Sequence, residues 1–314
     1  MNIMQPVPKA AAKQQHVIDV RDLDKKFIDA VFSRAETLGH MRNDSLKGKS
    51  LCWVAESAST RTGMSFKAAI TQLGGAHDSL PDPEHSSESK GESFEDTIRV
   101  VGTYHDVIVI RSKDAAFPSN AAKLSSVPVI NAGNGPDQHP TQALLDAFTV
   151  KQKLGTLEGL KIALVGDLSR GRAPRSLALL FAKHYPNNEF VGVGPEELWM
   201  DTDVVEYLKE QKVRYSEVKR LTDVIGEVDV VYMTRLQKEH PRKGLFGVEY
   251  PQLTLELAKK LDRHALIMHP LPANRERELP YSIDGLPQAI YLKDQLRAGL
   301  AVRKAILQEL LLDK

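Results

Sequence analysis

The chain of 314 residues carries 42 Lys plus Arg against 41 Asp plus Glu, a formal net charge of +1. That balance argues against a protein built to coat nucleic acid or an anionic membrane surface, and no apolar run approaches the roughly 18 residues that a spanning helix needs. Cys52 is the single cysteine, so an internal disulfide and a thiolate metal cluster are both excluded.

The length predicts two domains at about 150 residues each. Residues 1–15, with Pro6, Pro8 and Ala10–Ala12, read as a loose end without the apolar core of a signal peptide, and a cytoplasmic location is expected. Short β-rich runs then recur at Ser50–Val54, Val107–Ile110, Val127–Ile130, Ile162–Val165, Phe190–Val193, Val230–Met233 and Ala265–Met268. Helical patterns lie between them. Phe66, Ala69, Ile70 and Leu73 follow the i, i+3, i+4, i+7 spacing of one helix face. Alternating strands and helices predict an α/β fold: two doubly wound parallel-sheet domains joined by a helix.

That joining helix starts at Pro140, carries Leu144, Leu145 and Phe148 on its apolar side, and ends before Gly155 and Gly159. The expected units are residues 1–140, then 141–296 beginning with the joining helix. A C-terminal helix over 297–314 closes the chain and packs back on the first domain.

Each unusual polar cluster follows a predicted strand. In open α/β sheets ligands bind outside the carboxyl ends of the strands, so the clusters predict one site in the cleft between the domains. Ser59-Thr60-Arg61-Thr62 opens a helix, where free N–H groups and the dipole favour an anion. Taken alone, the same residues describe an ordinary capped helix start. Arg111 follows the strand Val107–Ile110. Ser86 to Glu92 reads as a polar loop carrying Lys90, with a plain surface loop as the alternative. His139-Pro140-Thr141-Gln142 offers a hydrogen-bond donor for an oxygen gathering charge and, in Gln142, an acceptor for an amide; His139 equally suits a capping position. Arg172 and Arg235 stand at strand ends as carboxylate binders, or as arginines paired to surface acids. His269-Pro270-Leu271-Pro272 has two prolines, which remove N–H groups and leave carbonyls to accept. There is no Gly-Lys-Ser/Thr P-loop, no HExxH, and no dinucleotide fingerprint at Gly192-Val193-Gly194. The ten histidines lack zinc-ligand spacing. No metal and no cofactor are expected.

Seven motifs stand in one order: Ser59–Thr62, the loop from Ser86 to Glu92, Asn131-Ala132-Gly133, His139–Gln142, Gly166-Asp167-Leu168 with Arg172, Arg235-Leu236-Gln237 and His269–Pro272. From about residue 17 to 311 the chain resembles the aspartate carbamoyltransferase catalytic chains. The resemblance implies transfer of a carbamoyl group from carbamoyl phosphate to L-aspartate in pyrimidine synthesis. It also implies a homotrimer with active sites shared between subunits, and leaves room for a regulatory chain or partner enzyme. By resemblance Ser59, Thr60, Arg61, Thr62 and Arg111 hold carbamoyl phosphate, while Thr62, Arg111 and His139 face its carbonyl oxygen. Gln142 and the carbonyls of Pro270 and Leu271 take its amino group. Arg172, Arg235 and Gln237 take the aspartate carboxylates, and Ser86 and Lys90 come from a neighbouring subunit.

The ornithine type would carry Cys where Leu271 stands and a Ser-Met-Gly that is absent here; Arg235-x-Gln237 suits a second carboxylate. A carbamoyltransferase-like binding protein without turnover is the other alternative. Differences from the family pattern fall at Glu56, followed by one residue more than usual before Ser59, and at Gly63, His240 and Ala273.

Overall fold

The computed structural model describes residues 16–56, 59–80, 90–237 and 250–312. The expectations for the loose end at 1–15, for Ser57 and Ala58, for Ser86 to Ser89 and for His240 lie outside the described residues.

The first sheet holds β1 (Ser50–Ala55), β2 (Ala76–Ser79), β3 (Val107–Ser112) and β4 (Val129–Asn134), all parallel, in the order β2-β1-β3-β4. The period of two in a strand sends alternate residues to opposite faces. Leu51 and Trp53, with Val107 and Val109, enter the main core against α1 (Lys25–Leu38), α2 (Thr60–Gln72) and α5 (Pro140–Leu154). Cys52 and Val54, with Ile108 and Ile110, enter a second core under α3 (Phe94–Tyr104) and α4 (Phe117–Leu124).

The second sheet is built the same way from β5 (Lys161–Val165), β6 (Glu189–Val193), β7 (Arg214–Val218), β8 (Val230–Met233) and β9 (Leu266–Met268), parallel in the order β7-β6-β5-β8-β9. Ile162 and Leu164 face α6 (Arg172–His184), while Ala163 and Val165 face a separate core with Leu253, Leu279 and Ile283. Burial on both faces is what makes these strands read as continuous apolar runs.

Two strands escape a periodicity search. β2 is Ala-His-Asp-Ser and β7 is Arg-Tyr-Ser-Glu-Val; both lie at sheet edges and expose side chains. Polar and charged residues blunt edge strands, so they lack the apolar signal of central ones. The run expected at Val127–Ile130 starts at Val129 instead, and Pro128 serves only as an acceptor, from the Ile108 N–H.

Phe66, Ala69, Ile70 and Leu73 are all fully buried. The joining helix α5 ends at Gly155, which caps it at a left-handed φ of 74°. The last helix, α9 (Asp294–Leu311), starts three residues before the expected Arg297 and packs against α1, α2 and α5. Arg34 on α1 holds Glu309 on α9 at 2.8 Å.

Candidate active site

The carboxyl ends of both sheets open on one cavity of about 840 Å³. Its lining includes Ser59, Thr60, Arg61 and Thr62 from the start of α2, Arg111 from β3, and His139 and Gln142 from the start of α5. The lining also includes Arg172 at the start of α6, Arg235 and Gln237 after β8, and Pro270 and Leu271 after β9. Lys90 is exposed and lies outside this lining. Ser86 is outside the described residues.

Charge dominates the cavity. Among the described residues, Arg61, Arg111, Lys113, Arg170, Arg172, Arg235 and Arg303 line it against one carboxylate, Glu56. Burial pushes the Arg111 guanidinium down to about 10, helped by the charges of Arg61 and Arg235. Burial and then Arg235 also lower Arg61. Neither has an acidic partner among the described residues. Like charges held side by side favour an anion between them.

Two of these cations are fixed by backbone carbonyls. Arg111 donates through Nη1 to the Ala132 carbonyl at 3.0 Å. The end of β4 carrying Ala132 is set by Asn131, which accepts from the Gly133 N–H at 2.8 Å and donates to the Ile18 carbonyl at 2.9 Å. Arg172 donates to the Gly135 carbonyl at 2.7 Å, so an arginine of the second sheet's first helix grips the end of the first sheet. The Ser59 hydroxyl, at the cap position of α2, makes no capping hydrogen bond to the helix. Gly63 answers a local need: a Cβ there would stand 3.1 Å from Cζ2 of Trp53 on β1. Glu56 accepts from the Ser112 hydroxyl, which ties it to its own sheet.

His139 is buried at the tip of α5, where its N–H donates to Ser176 Oγ at 2.8 Å. Burial, then the charges of Arg111, Arg172 and Arg303, hold its imidazole well below the usual range. It is neutral at pH 7 and presents one ring N–H donor.

The second-sheet loops are pinned by two buried carboxylates. Asp167 accepts from the Gln237 N–H at 3.0 Å and from Ser169 Oγ at 3.2 Å. Glu278 accepts from the N–H groups of Leu236 at 3.3 Å and Asn274 at 2.7 Å. In the His269–Pro272 loop the Leu271 N–H is donated to His269 Nδ1 at 2.7 Å, and the two prolines have none. Leu271 itself holds a left-handed φ of 56°, a strained position for a branched residue.

Asp146, Gln295 and Arg303 escape motif reading. A charge inside the apolar run Ala143–Phe148 of α5 was the available signal for Asp146, four residues beyond Gln142. Gln295 and Arg303 sit eight residues apart on one face of α9, but no strand end marks them.

Residues 15–152 match the family described as aspartate/ornithine carbamoyltransferase, carbamoyl-P binding domain. Residues 158–310 match the aspartate/ornithine carbamoyltransferase, Asp/Orn binding domain. The chain belongs to the aspartate/ornithine carbamoyltransferase family. Among its relatives, the aspartate carbamoyltransferase catalytic subunit of Methanocaldococcus jannaschii is 38% identical over 95% of this chain and 98% of its own length. Aspartate carbamoyltransferase 1, chloroplastic, of Pisum sativum is 39% identical over 94% of this chain and 78% of its own. The fold matches aspartate transcarbamoylase from Trypanosoma cruzi, solved with carbamoyl phosphate and aspartate, at a TM-score of 0.88 and 33% identity, covering 95% of this chain and 97% of that one.

Proposed function

We infer that the chain is an aspartate carbamoyltransferase: it transfers the carbamoyl group of carbamoyl phosphate to the α-amino group of L-aspartate, releasing N-carbamoyl-L-aspartate and phosphate. The observation that carries this reading is the pair of arginines, Arg61 and Arg111, that share one cavity beside Arg235 and have no carboxylate partner among the described residues. Carbamoyl phosphate and aspartate each bring about two negative charges, and a chain of net charge +1 must meet them with a local field.

In this reading Ser59, Thr60, Arg61 and Thr62 hold the phosphate at the helix start, with Arg111 above them. The neutral amine attacks the carbamoyl carbon, forming the N–C bond. Negative charge gathers on the carbonyl oxygen, which receives donors from Thr62, Arg111 and neutral His139. Each such preorganised donor is worth about 2.7–4 kcal/mol. Gln142 and the Pro270 and Leu271 carbonyls accept from the carbamoyl amino group. The C–O bond to phosphate then breaks, and the departing phosphate takes the amine proton. Arg172, Arg235 and Gln237 hold the aspartate carboxylates, and alignment of the two substrates supplies roughly 7–11 kcal/mol more.

The domain assignment belongs to the same reading: residues 1–140 take carbamoyl phosphate and 141–296 take aspartate, with 297–314 closing the chain. So do a homotrimer in which Ser86 and Lys90 complete a neighbour's site, a place in pyrimidine synthesis, and a cytoplasmic location. Among the described residues no helix is long and apolar enough to cross a membrane.

The test mixes the purified chain with carbamoyl phosphate and either L-aspartate or L-ornithine and assays the carbamoylated amino acid directly. Product with aspartate alone is expected. Product with ornithine alone would overturn the roles of Leu271, Arg235 and Gln237, and no product with either would leave a binding protein.

A further inference from the structure

A glutamine side chain has a donor end and an acceptor end of nearly equal shape, and only its surroundings decide which one meets a ligand. Behind Gln142 the surroundings are Asp146, fully buried one helical turn further along α5. An amide NH2 can only donate, so the Asp146 oxygen that faces two of them accepts whether or not the carboxyl is ionised. Asp146 Oδ1 accepts from Gln142 Nε2 at 2.9 Å and from Gln295 Nε2 at 2.7 Å, and Oδ2 accepts from the Tyr232 hydroxyl at 2.6 Å. The donor end of Gln142 is thereby turned inward and its Oε1 is left for the cavity.

The same carboxylate orients a second group. With Nε2 of Gln295 on Asp146, its Oε1 accepts the His269 N–H at 3.0 Å, which anchors the start of the His269–Pro272 loop. That loop offers the cavity acceptors and no free N–H between 270 and 272. One buried carboxylate thus aligns acceptors on α5 and after β9 that line the same cavity.

We propose that Asp146 and Gln295 form a positioning relay that makes the site select acyl phosphates bearing N–H groups. The relay rests on the carbamoyl phosphate reading above, and acts through Gln142 and the 269–272 loop rather than by touching substrate at Asp146. Acetyl phosphate is the discriminating probe: its methyl group replaces the amino group at similar size and donates nothing.

Calorimetric titration of the full chain with carbamoyl phosphate and with acetyl phosphate tests the relay. Wild type is expected to bind carbamoyl phosphate at least tenfold tighter. Asp146→Ala and Gln295→Leu are each expected to weaken carbamoyl phosphate about tenfold, the scale of one buried hydrogen bond, while acetyl phosphate changes less than twofold. Asp146→Asn should keep the preference. Glutamine Nε2 groups can only donate whereas the Tyr232 hydroxyl can also accept, so the asparagine oxygen turns to the glutamines. Should Asp146→Ala fail to fold, Gln295→Leu carries the test without touching the buried charge. Equal losses for both ligands would mark a merely structural role and overturn the proposal, as would no change for either. A wild type that binds the two alike would overturn it too, whereas a wild type that binds neither would instead overturn the reading of the site.

Discussion

Gly133 and Arg111 occupy one space: a Cβ placed on Gly133 would stand 2.0 Å from Arg111 Nη1. Gly133 also holds φ at +112°, where L side chains are strained. The glycine is therefore what lets the guanidinium lie against the end of β4. Gly133→Ala should push Arg111 off the Ala132 carbonyl and weaken carbamoyl phosphate binding more than tenfold in a titration, with a chain that still folds. Unchanged affinity would mean that Arg111 can hold the ligand from another position.

Arg61 and Arg111, which have no acidic partner among the described residues, make phosphate a stabilising ligand. A ligand that binds only the folded state at about 100 times its Kd adds roughly 2.7 kcal/mol. Thermal unfolding should shift upward by several degrees in phosphate relative to chloride of equal ionic strength. Arg111→Met should abolish that shift. If the variant keeps it, the anion binds elsewhere.

His139→Ala should lower turnover about 10²–10³-fold, the scale of losing one preorganised oxyanion donor. Because burial and three arginines hold the imidazole well below its ordinary value, it stays neutral as pH falls through 6.5. The wild-type rate should therefore show no acid limb from this group near 6.5, and a pH–rate profile of wild type against the alanine variant checks it.

Burial raises the Asp146 carboxyl to about 7, above the unfolded value near 4. Between those values the folded chain binds the extra proton, so this group's contribution to stability falls as pH rises. The slope is about 1.4 kcal/mol per pH unit. Asp146→Asn removes it. Urea unfolding at pH 5, 6 and 7 should find the variant gaining on wild type as pH rises, by about that slope, and no further gain above 7. The buried histidines His139 and His269 are shifted the opposite way, but they are common to both chains and cancel in the difference.

The reach of the sequence differs between elements for physical reasons. Central strands such as Val230–Met233 are buried on both faces and read directly. Edge strands β2 and β7 carry the polar residues that protect an edge and stay hidden. Arg61, Arg111, Arg172 and Arg235 are legible because a cation just past a strand is a local pattern. Asp146, Gln295 and Arg303 meet only through packing of α9 on α5, and no spacing along the chain encodes that meeting. Asp167 and Glu278 act by accepting N–H groups from other loops, a role that leaves no mark in sequence.

The placement of α9 also bears on synthesis. Both sheets precede it in chain order, yet Gln295, Leu296, Gly299 and Arg303 of this helix line the cavity. A ribosome stalled before Asp294 would release a product with both sheets encoded but the cavity unfinished. It would also leave uncovered the apolar faces of α1, α2 and α5 on which α9 packs. Such a fragment combines lost activity with an exposed adhesive surface, and is a natural target for chaperones and proteases.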